Sequence, residues 1–408
     1  MIDDISARIC PIFSQKLCFA KSIAYSSPYK RCKEFMANDL QSGSTNYYKQ
    51  HTRELTEKIR LSMKELPEFC EAYFRAISSR TSALTRLNYV YDLKLFFEYL
   101  SDAKFDSKSI RQITLDDLET VTATDIEKFL DYVSLYDRNF DYENKTVVIT
   151  SENGERGKAR KLSSIRSLFK YYFKKEKLSS NVAALVDSPK LHEKAIIRLE
   201  VDEIEKLLNE VESGEKLTQR QQSLHRNTQK RDLAIITLLL GTGIRVSECV
   251  GLNIDDINFD DLSIKVTRKG GNEAILYISN EVAEVLLAYI EQRRTVEAAD
   301  DDAAAALFLS GQRKRMQQRS IQYLVQKYSR IATPLKRITP HKLRSTYGTN
   351  LYRQSGDIYL VADVLGHKDV NTTRKHYAAM VEDRRREASR LIKLREDREK
   401  NEKGEDNQ

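Results

Sequence analysis

Thr339-Pro340-His341-Lys342-Leu343-Arg344 is the stretch from which the rest of this chain can be read. A threonine followed by proline marks a helix start, because threonine suits the N-cap and the fixed φ of proline suits the first helical position. His341 and Arg344 then fall three apart on one helix face, where both side chains can reach a single phosphate. After a polar break at Gln354-Ser355-Gly356-Asp357, the run Ile358 to Leu365 predicts a second short helix, closed by Gly366 as a left-handed C-cap with His367 just beyond. Tyr377 follows Asn371-Thr372-Thr373, where a further helix could be capped.

Two upstream segments belong with these. Gly241-Thr242-Gly243 ends an apolar run from Leu233 to Leu240, and Arg245 stands at the start of the next helix, which continues as Val246, Cys249 and Val250 at core spacing with Glu248 beside them. Leu262 to Thr267 and Ala274 to Ile278 alternate apolar and polar residues around Arg268-Lys269-Gly270-Gly271-Asn272-Glu273, which predicts a β-hairpin with a glycine-rich tip carrying Lys269. Arg245, Lys269, His341, Arg344, His367 and Tyr377 together have the composition of a phosphodiester transfer site. Arginines are planar bidentate clamps for phosphate, His and Lys can move protons, and a tyrosine hydroxyl can attack phosphorus to leave a covalent protein–DNA link. That set requires no metal and no nucleotide cofactor. Taken singly, each residue has a bland reading: a solvated His-x-x-Arg face, a surface arginine after a glycine turn, or one packed tyrosine among 21. Their joint occurrence in this order is what carries the chemistry.

The segment from about Leu199 to Tyr377 resembles the catalytic domain of the tyrosine recombinases, the phage integrase family. Gly241-Thr242-Gly243-Ile244-Arg245-Val246-Ser247-Glu248 is similar to its first arginine box, Thr339 to Arg344 to its His-x-x-Arg box, and Leu365-Gly366-His367 with Tyr377 to its closing box. The resemblance implies that Arg245 and Arg344 bind the scissile phosphate and that His341 and His367 assist in proton handling and phosphate contact. It further implies that Lys269 is the general acid on the leaving 5′ oxygen and Tyr377 the nucleophile forming a 3′-phosphotyrosine. Ser345 and Tyr347 stand where many relatives carry His and Phe, which leaves the six groups untouched. The expected activity is that of a site-specific recombinase, the integrase of a mobile element, acting on double-stranded DNA as a homotetramer with accessory DNA-bending proteins. A chromosome-dimer resolvase of the same family, a type IB topoisomerase-like relaxase and a non-catalytic DNA-binding module are the alternatives.

Composition agrees with a polyanion partner: the net charge is +8 and the pI about 9.0. Cys10, Cys18, Cys32, Cys70 and Cys249 form no Cys-x-x-Cys pair, so neither a zinc site nor a disulfide framework is indicated. The apolar stretch near Ile9 to Ala24 is interrupted by Lys16 and Lys21, and no run approaches a membrane span, so the expectation is a cytoplasmic protein, associated with the nucleoid when on DNA.

The fold class expected is mainly α with a small β-hairpin or sheet in the C-terminal domain. Residues 1–64 form an N-terminal extension of unclear role, polar and irregular to about Lys58. Residues 65–187 predict a helical core-DNA-binding domain: Leu84, Leu87, Val90, Leu93, Phe96, Phe97 and Leu100 mark one amphipathic stripe, Thr124-Asp125-Ile126-Glu127 a capping box, and Leu162, Ile165, Leu168, Phe169, Tyr172 and Phe173 a further apolar side. The other side of that last helix and its flanks are basic, with Arg156, Lys158, Arg160, Lys161, Arg166, Lys170, Lys174, Lys175 and Lys177 as candidate DNA-binding residues, against the plain alternative of a solvated face. A linker spans 188–198, opened by Asp187-Ser188-Pro189-Lys190, the catalytic domain 199–385, and a charged tail 386–408. Tyr136 to Lys158 and Val211 to Thr228 are expected to be mobile polar insertions.

Overall fold

The computed structural model describes residues 46–142, 145–191, 197–268, 271–367 and 370. Thr45–Ile196 forms one compact unit, and the residues from Ile197 onward belong to another.

The first unit contains α1 (Asn46–Met63), α2 (Cys70–Ile77), α3 (Ala83–Ala103), α4 (Leu115–Glu119), α5 (Ala123–Tyr132), the antiparallel strands β1 (Leu135–Tyr142) and β2 (Lys145–Glu152), and α6 (Glu155–Lys174). Its core is aromatic: Tyr73, Phe96, Phe97, Phe129 and Phe169 are fully buried, with the rings of Phe96 and Phe129 5.1 Å apart edge to face. The stripe of α3 holds from Leu87 to Leu100, but Leu84 is 54% exposed because it lies in the first turn, beyond the reach of α1 and α6. On α6 the apolar side is Leu162, Ile165, Leu168, Phe169 and Tyr172, and Phe173 turns out to solvent.

Three expectations are corrected here. Part of the supposedly irregular N-terminal segment is α1, whose Ile59 is buried in the core. The insertion after Tyr136 is a β-hairpin in register from Leu135↔Glu152 to Tyr142↔Lys145, not a loop. The capping box of α5 is Thr122 with Asp125, two residues before the expected start: Thr122 N–H donates to the carboxylate at 2.9 Å and Asp125 N–H returns a bond to the threonine hydroxyl at 3.3 Å.

The second unit runs α7 (Val201–Ser213), α8 (Gln219–Thr242), α9 (Val246–Gly251), β3 (Ile257–Asn258), β4 (Ser263–Thr267), β5 (Glu273–Tyr277), α10 (Asn280–Arg294), α11 (Asp301–Ala305), α12 (Gln318–Ala332), α13 (Pro340–Ser355) and α14 (Ile358–Leu365). α8 is the central helix, packed against α7, α10 and α13. The expected mobile insertion 211–228 is instead the end of α7, a turn at Gly214 and the first turns of α8. Its polar sequence hid the start of α8 because the buried side chain there is a histidine: His225 Nδ1 meets the Tyr328 hydroxyl at 3.0 Å, and that hydroxyl donates to Asp232 at 2.9 Å.

The predicted hairpin is β4–β5, paired from Ser263↔Tyr277 to Thr267↔Glu273, with β3 added along β4. Ile264, Val266 and Leu276 point inward from it. The buried Arg315 donates to the carbonyls of Val250 and Leu252 and to the Asp302 carboxylate, fixing the end of α9 and so the direction in which that helix leaves Arg245. Among the described residues, no helix is long and apolar enough to cross a membrane.

Candidate active site

α8 ends at Gly243, which adopts φ +61° and closes the helix as a left-handed cap. A Cβ there would lie 2.5 Å from Tyr347 Cδ1 and 3.0 Å from Leu365 Cδ2, so only glycine lets the chain pass between α13 and α14 at this point. Two residues later Arg245 is the N-cap of α9, delivered beside the end of α14. Its backbone N–H donates to Glu248 Oε2 at 3.0 Å and its Nη1 to Glu248 Oε1 at 2.7 Å, while Nη2 reaches the carbonyls of Leu365 at 3.3 Å and Gly366 at 3.0 Å. Glu248 is 4% exposed, a buried carboxylate whose function is to hold the guanidinium at this angle.

α13 opens with Thr339 at the N-cap and Pro340 at the first helical position, as expected, although no side-chain bond completes the cap. His341 is exposed at this start and Arg344 lies one turn further in, 6% exposed. Arg344 Nη1 donates to the Gly243 carbonyl at 2.5 Å and Nη2 to the Leu365 carbonyl. Arg245 and Arg344, 99 residues apart in sequence, therefore share one acceptor, the carbonyl oxygen of Leu365.

That acceptor belongs to a Schellman turn. Asp357 caps the start of α14 through Tyr359 N–H at 2.7 Å, Gly366 ends it at φ +60°, and His367 N–H returns to the Ala362 carbonyl at 2.9 Å. The turn fixes the backbone of half-buried His367 directly beside the carbonyls that the two arginines grip. The site thus brings together Arg245, Arg344 and the His367 backbone, with His341 on the same helix as Arg344. Lys269 and Tyr377 lie outside the described residues. Tyr347, which packs on Gly243, has its phenol pushed above the ordinary value by burial. Among the described residues no group of three or more His, Cys, Asp or Glu side chains could hold a metal ion.

The sequence reading named Glu248 only as a neighbour of Arg245. Its place three residues after an N-cap was the available signal, since an acidic N3 residue reaches back to the cap. Arg268 is a second omission: its Nη2 donates to the Val364 carbonyl at 3.2 Å.

The nine basic candidates of the first unit divide. Arg156, Arg160, Lys170 and Lys174 recur at helical spacing on one exposed face of α6, and Lys175 and Lys177 are exposed just beyond it. Lys158 pairs with Glu155 at 3.7 Å, and Arg160 is also paired, with the buried Asp92. Two further candidates are turned inward: Lys161 is 4% exposed and donates to Asn153 Oδ1 at 2.9 Å, and Arg166 donates to the Ala183 carbonyl at 3.1 Å, the Ser188 hydroxyl at 2.7 Å and the Val186 carbonyl.

The profile of the Phage integrase family matches residues 198–384. The tyrosine recombinase XerC of Caldanaerobacter subterraneus subsp. tengcongensis is 34% identical over 322 residues, covering 76% of this chain and 81% of that protein. The tyrosine recombinase XerS of Streptococcus uberis is 33% identical over 356 residues, covering 82% of this chain and 98% of that one. Among solved structures, the XerH site-specific recombinase bound to a palindromic difH substrate matches with a TM-score of 0.57 at 18% identity, over 88% of this chain and 92% of that one. The Tn1549 transposon integrase in complex with a circular intermediate DNA matches with a TM-score of 0.54 at 18% identity, over 79% and 99%. The chain therefore belongs to the phage integrase family and is a tyrosine-type site-specific DNA recombinase.

Proposed function

We propose that this protein cuts and rejoins double-stranded DNA with Arg245, Lys269, His341, Arg344, His367 and Tyr377 as its catalytic set. The observation that carries the assignment is the convergence of Arg245 and Arg344 on the Leu365 carbonyl, in the turn that leads to His367. Two guanidiniums gathered at one oxygen are placed to receive the non-bridging oxygens of one phosphate, and oxyanion stabilisation of this kind contributes about 3 kcal/mol per donor. The Tyr377 oxygen attacks phosphorus and gives up its proton to His341, His367 or solvent. The bond to the 5′ oxygen breaks, and that oxygen leaves with a proton from Lys269. A 5′ hydroxyl of the partner strand then attacks the phosphotyrosine and restores the phenol. Bond energy is retained throughout, so neither ATP nor a cofactor is consumed.

The denaturing-gel experiment with a nicked suicide substrate tests this directly. Tyr377→Phe should bind DNA as the parent does and form no covalent adduct, because only the hydroxyl is lost. A persistent adduct would move the nucleophile elsewhere. Relaxation of supercoils without a preferred site would support the topoisomerase alternative, and binding without cleavage by the parent the non-catalytic module.

The assembly we infer is a homotetramer on DNA, with the tail 386–408 docking on a neighbouring protomer and accessory DNA-bending proteins at the site; the tail lies outside the described residues. The cellular task expected from the sequence is integration and excision of a mobile element. Resolution of chromosome dimers is the second reading, and a specific observation favours it: the curated relatives named above are called XerC and XerS rather than integrases, and XerS is matched over 98% of its length. Mapping the Tyr377 adduct across the source genome separates the two. Adducts at both ends of an inserted segment indicate an integrase, and adducts at a single locus without such a segment a resolvase.

A further inference from the structure

Arg268 is the last described residue before the tip of the β4–β5 hairpin. Its backbone closes the base of that tip: its N–H donates to the Asn272 carbonyl at 2.7 Å and its carbonyl accepts from Gly271 N–H at 3.0 Å. Its side chain runs to α14. Nη2 donates to the Val364 carbonyl at 3.2 Å, and the guanidinium lies over Gly366 so closely that a Cβ there would sit 2.0 Å from Nη1. Nε is buried and finds no hydrogen-bond partner among the described residues, which leaves the Val364 carbonyl and the Gly366 surface as the contacts that seat this side chain. With Arg245 on Leu365 and Gly366 and Arg344 on Leu365, three guanidiniums cover three consecutive carbonyls at the negative end of one helix.

The covalent neighbours of these contacts give them a purpose. Lys269 follows Arg268 directly, and His367 follows the glycine that the guanidinium covers. We propose that Arg268 is a positioning residue, fastening the base of the hairpin tip to the C-terminal turn of α14 so that Lys269 and His367 serve the same phosphodiester. The proposal rests on the assignment of Lys269 as the acid. It also gives Gly366 a second requirement beside its positive φ, since the guanidinium occupies the space a side chain would need.

The rival role is direct phosphate contact by Arg268, and the leaving group distinguishes the two. Single-turnover cleavage is measured for the parent, Lys269→Ala, Arg268→Ala and Arg268→Lys on a nicked duplex with an ordinary 5′ oxygen and on one with sulfur at that bridging position, alongside DNA affinity as a function of salt. A misplaced acid is costly only when the leaving group needs a proton. Arg268→Ala should cut ordinary DNA about a hundredfold more slowly, recover most of that loss on the sulfur substrate together with Lys269→Ala, and keep the salt dependence of the parent. Arg268→Lys, whose stem still packs on the turn, should fall between and serves as the folded control. Equal loss by Arg268→Ala on both substrates, with the log–log salt slope reduced by about one, would overturn the proposal in favour of phosphate contact. Recovery of Arg268→Ala without recovery of Lys269→Ala would overturn it too, because the acid being positioned would not be Lys269. A failure of the wider assignment shows separately, as a Tyr377→Phe protein that still forms the adduct.

Discussion

A guanidinium beside the last carbonyls of a helix meets oxygen acceptors carrying partial negative charge, and Arg245 and Arg344 both use the end of α14 in this way. The fork of each arginine is thereby set before DNA arrives, which removes the ordering cost a free side chain would incur on binding. Lysine keeps the charge but cannot bridge two acceptors. Arg245→Lys and Arg344→Lys should each slow single-turnover cleavage by about two orders of magnitude while changing DNA affinity little. The two should separate in stability. Arg344 is buried and bonded to both Gly243 and Leu365, so its lysine variant leaves a buried carbonyl without its donor and should lose about 1–3 kcal/mol in denaturant unfolding. Arg245 is 33% exposed at its side chain, and its variant should unfold nearly as the parent does. Equal losses in binding and cleavage would reassign both to generic backbone contact.

Elements were legible in the sequence where a local rule fixes them. Pro340 after Thr339, the break before Ile358 and Gly366 at the end of α14 are turn and cap signals, and the helices begin and end there. What stayed hidden depends on partners distant in sequence. The β1–β2 hairpin has charged and polar residues on both faces and no Asn-Gly turn, so neither alternation nor loop chemistry announced it. The start of α8 is cut off from the apolar pattern because its buried contact is a histidine to Tyr328. Arg268 is a surface arginine by every local criterion until α14 is folded against it. The α5 start shows how fine the margin is: Thr122-Ala123-Thr124-Asp125 offers two threonines, and only Thr122 has Asp125 at the N3 position. Thr122→Ala should cost about 1 kcal/mol by denaturant unfolding. Thr124→Ala, at an exposed helical position, should be neutral or gain a few tenths of a kcal/mol. A larger loss at Thr124 would restore the later start.

At the scale of the whole molecule, a net charge of +8 over 408 residues says little about where DNA lies, since the same surplus could be spread evenly. Placement decides it. Arg156, Lys170 and Lys174 stand exposed along one face of α6, whereas Lys161 and Arg166 are turned to internal carbonyl and amide oxygens and hold the end of the first unit together. Each phosphate neutralised releases condensed counterions, so a residue that touches the DNA backbone contributes about 0.9 to the slope of log affinity against log salt. Arg156→Gln, Lys170→Gln and Lys174→Gln should each flatten that slope by about this amount, weaken binding alike on specific and unrelated sequences, and leave thermal unfolding unchanged. Arg166→Gln should do the reverse, lowering the unfolding temperature by a few degrees, on the order of 2–4 °C per kcal/mol for a unit near this size, while the slope stays that of the parent. Fluorescence anisotropy across a salt series, with calorimetry on the same samples, reads both quantities. If the three exposed residues left the slope untouched, this face of α6 would be a solvated one, and the DNA contacts of the first unit would have to be sought on another element.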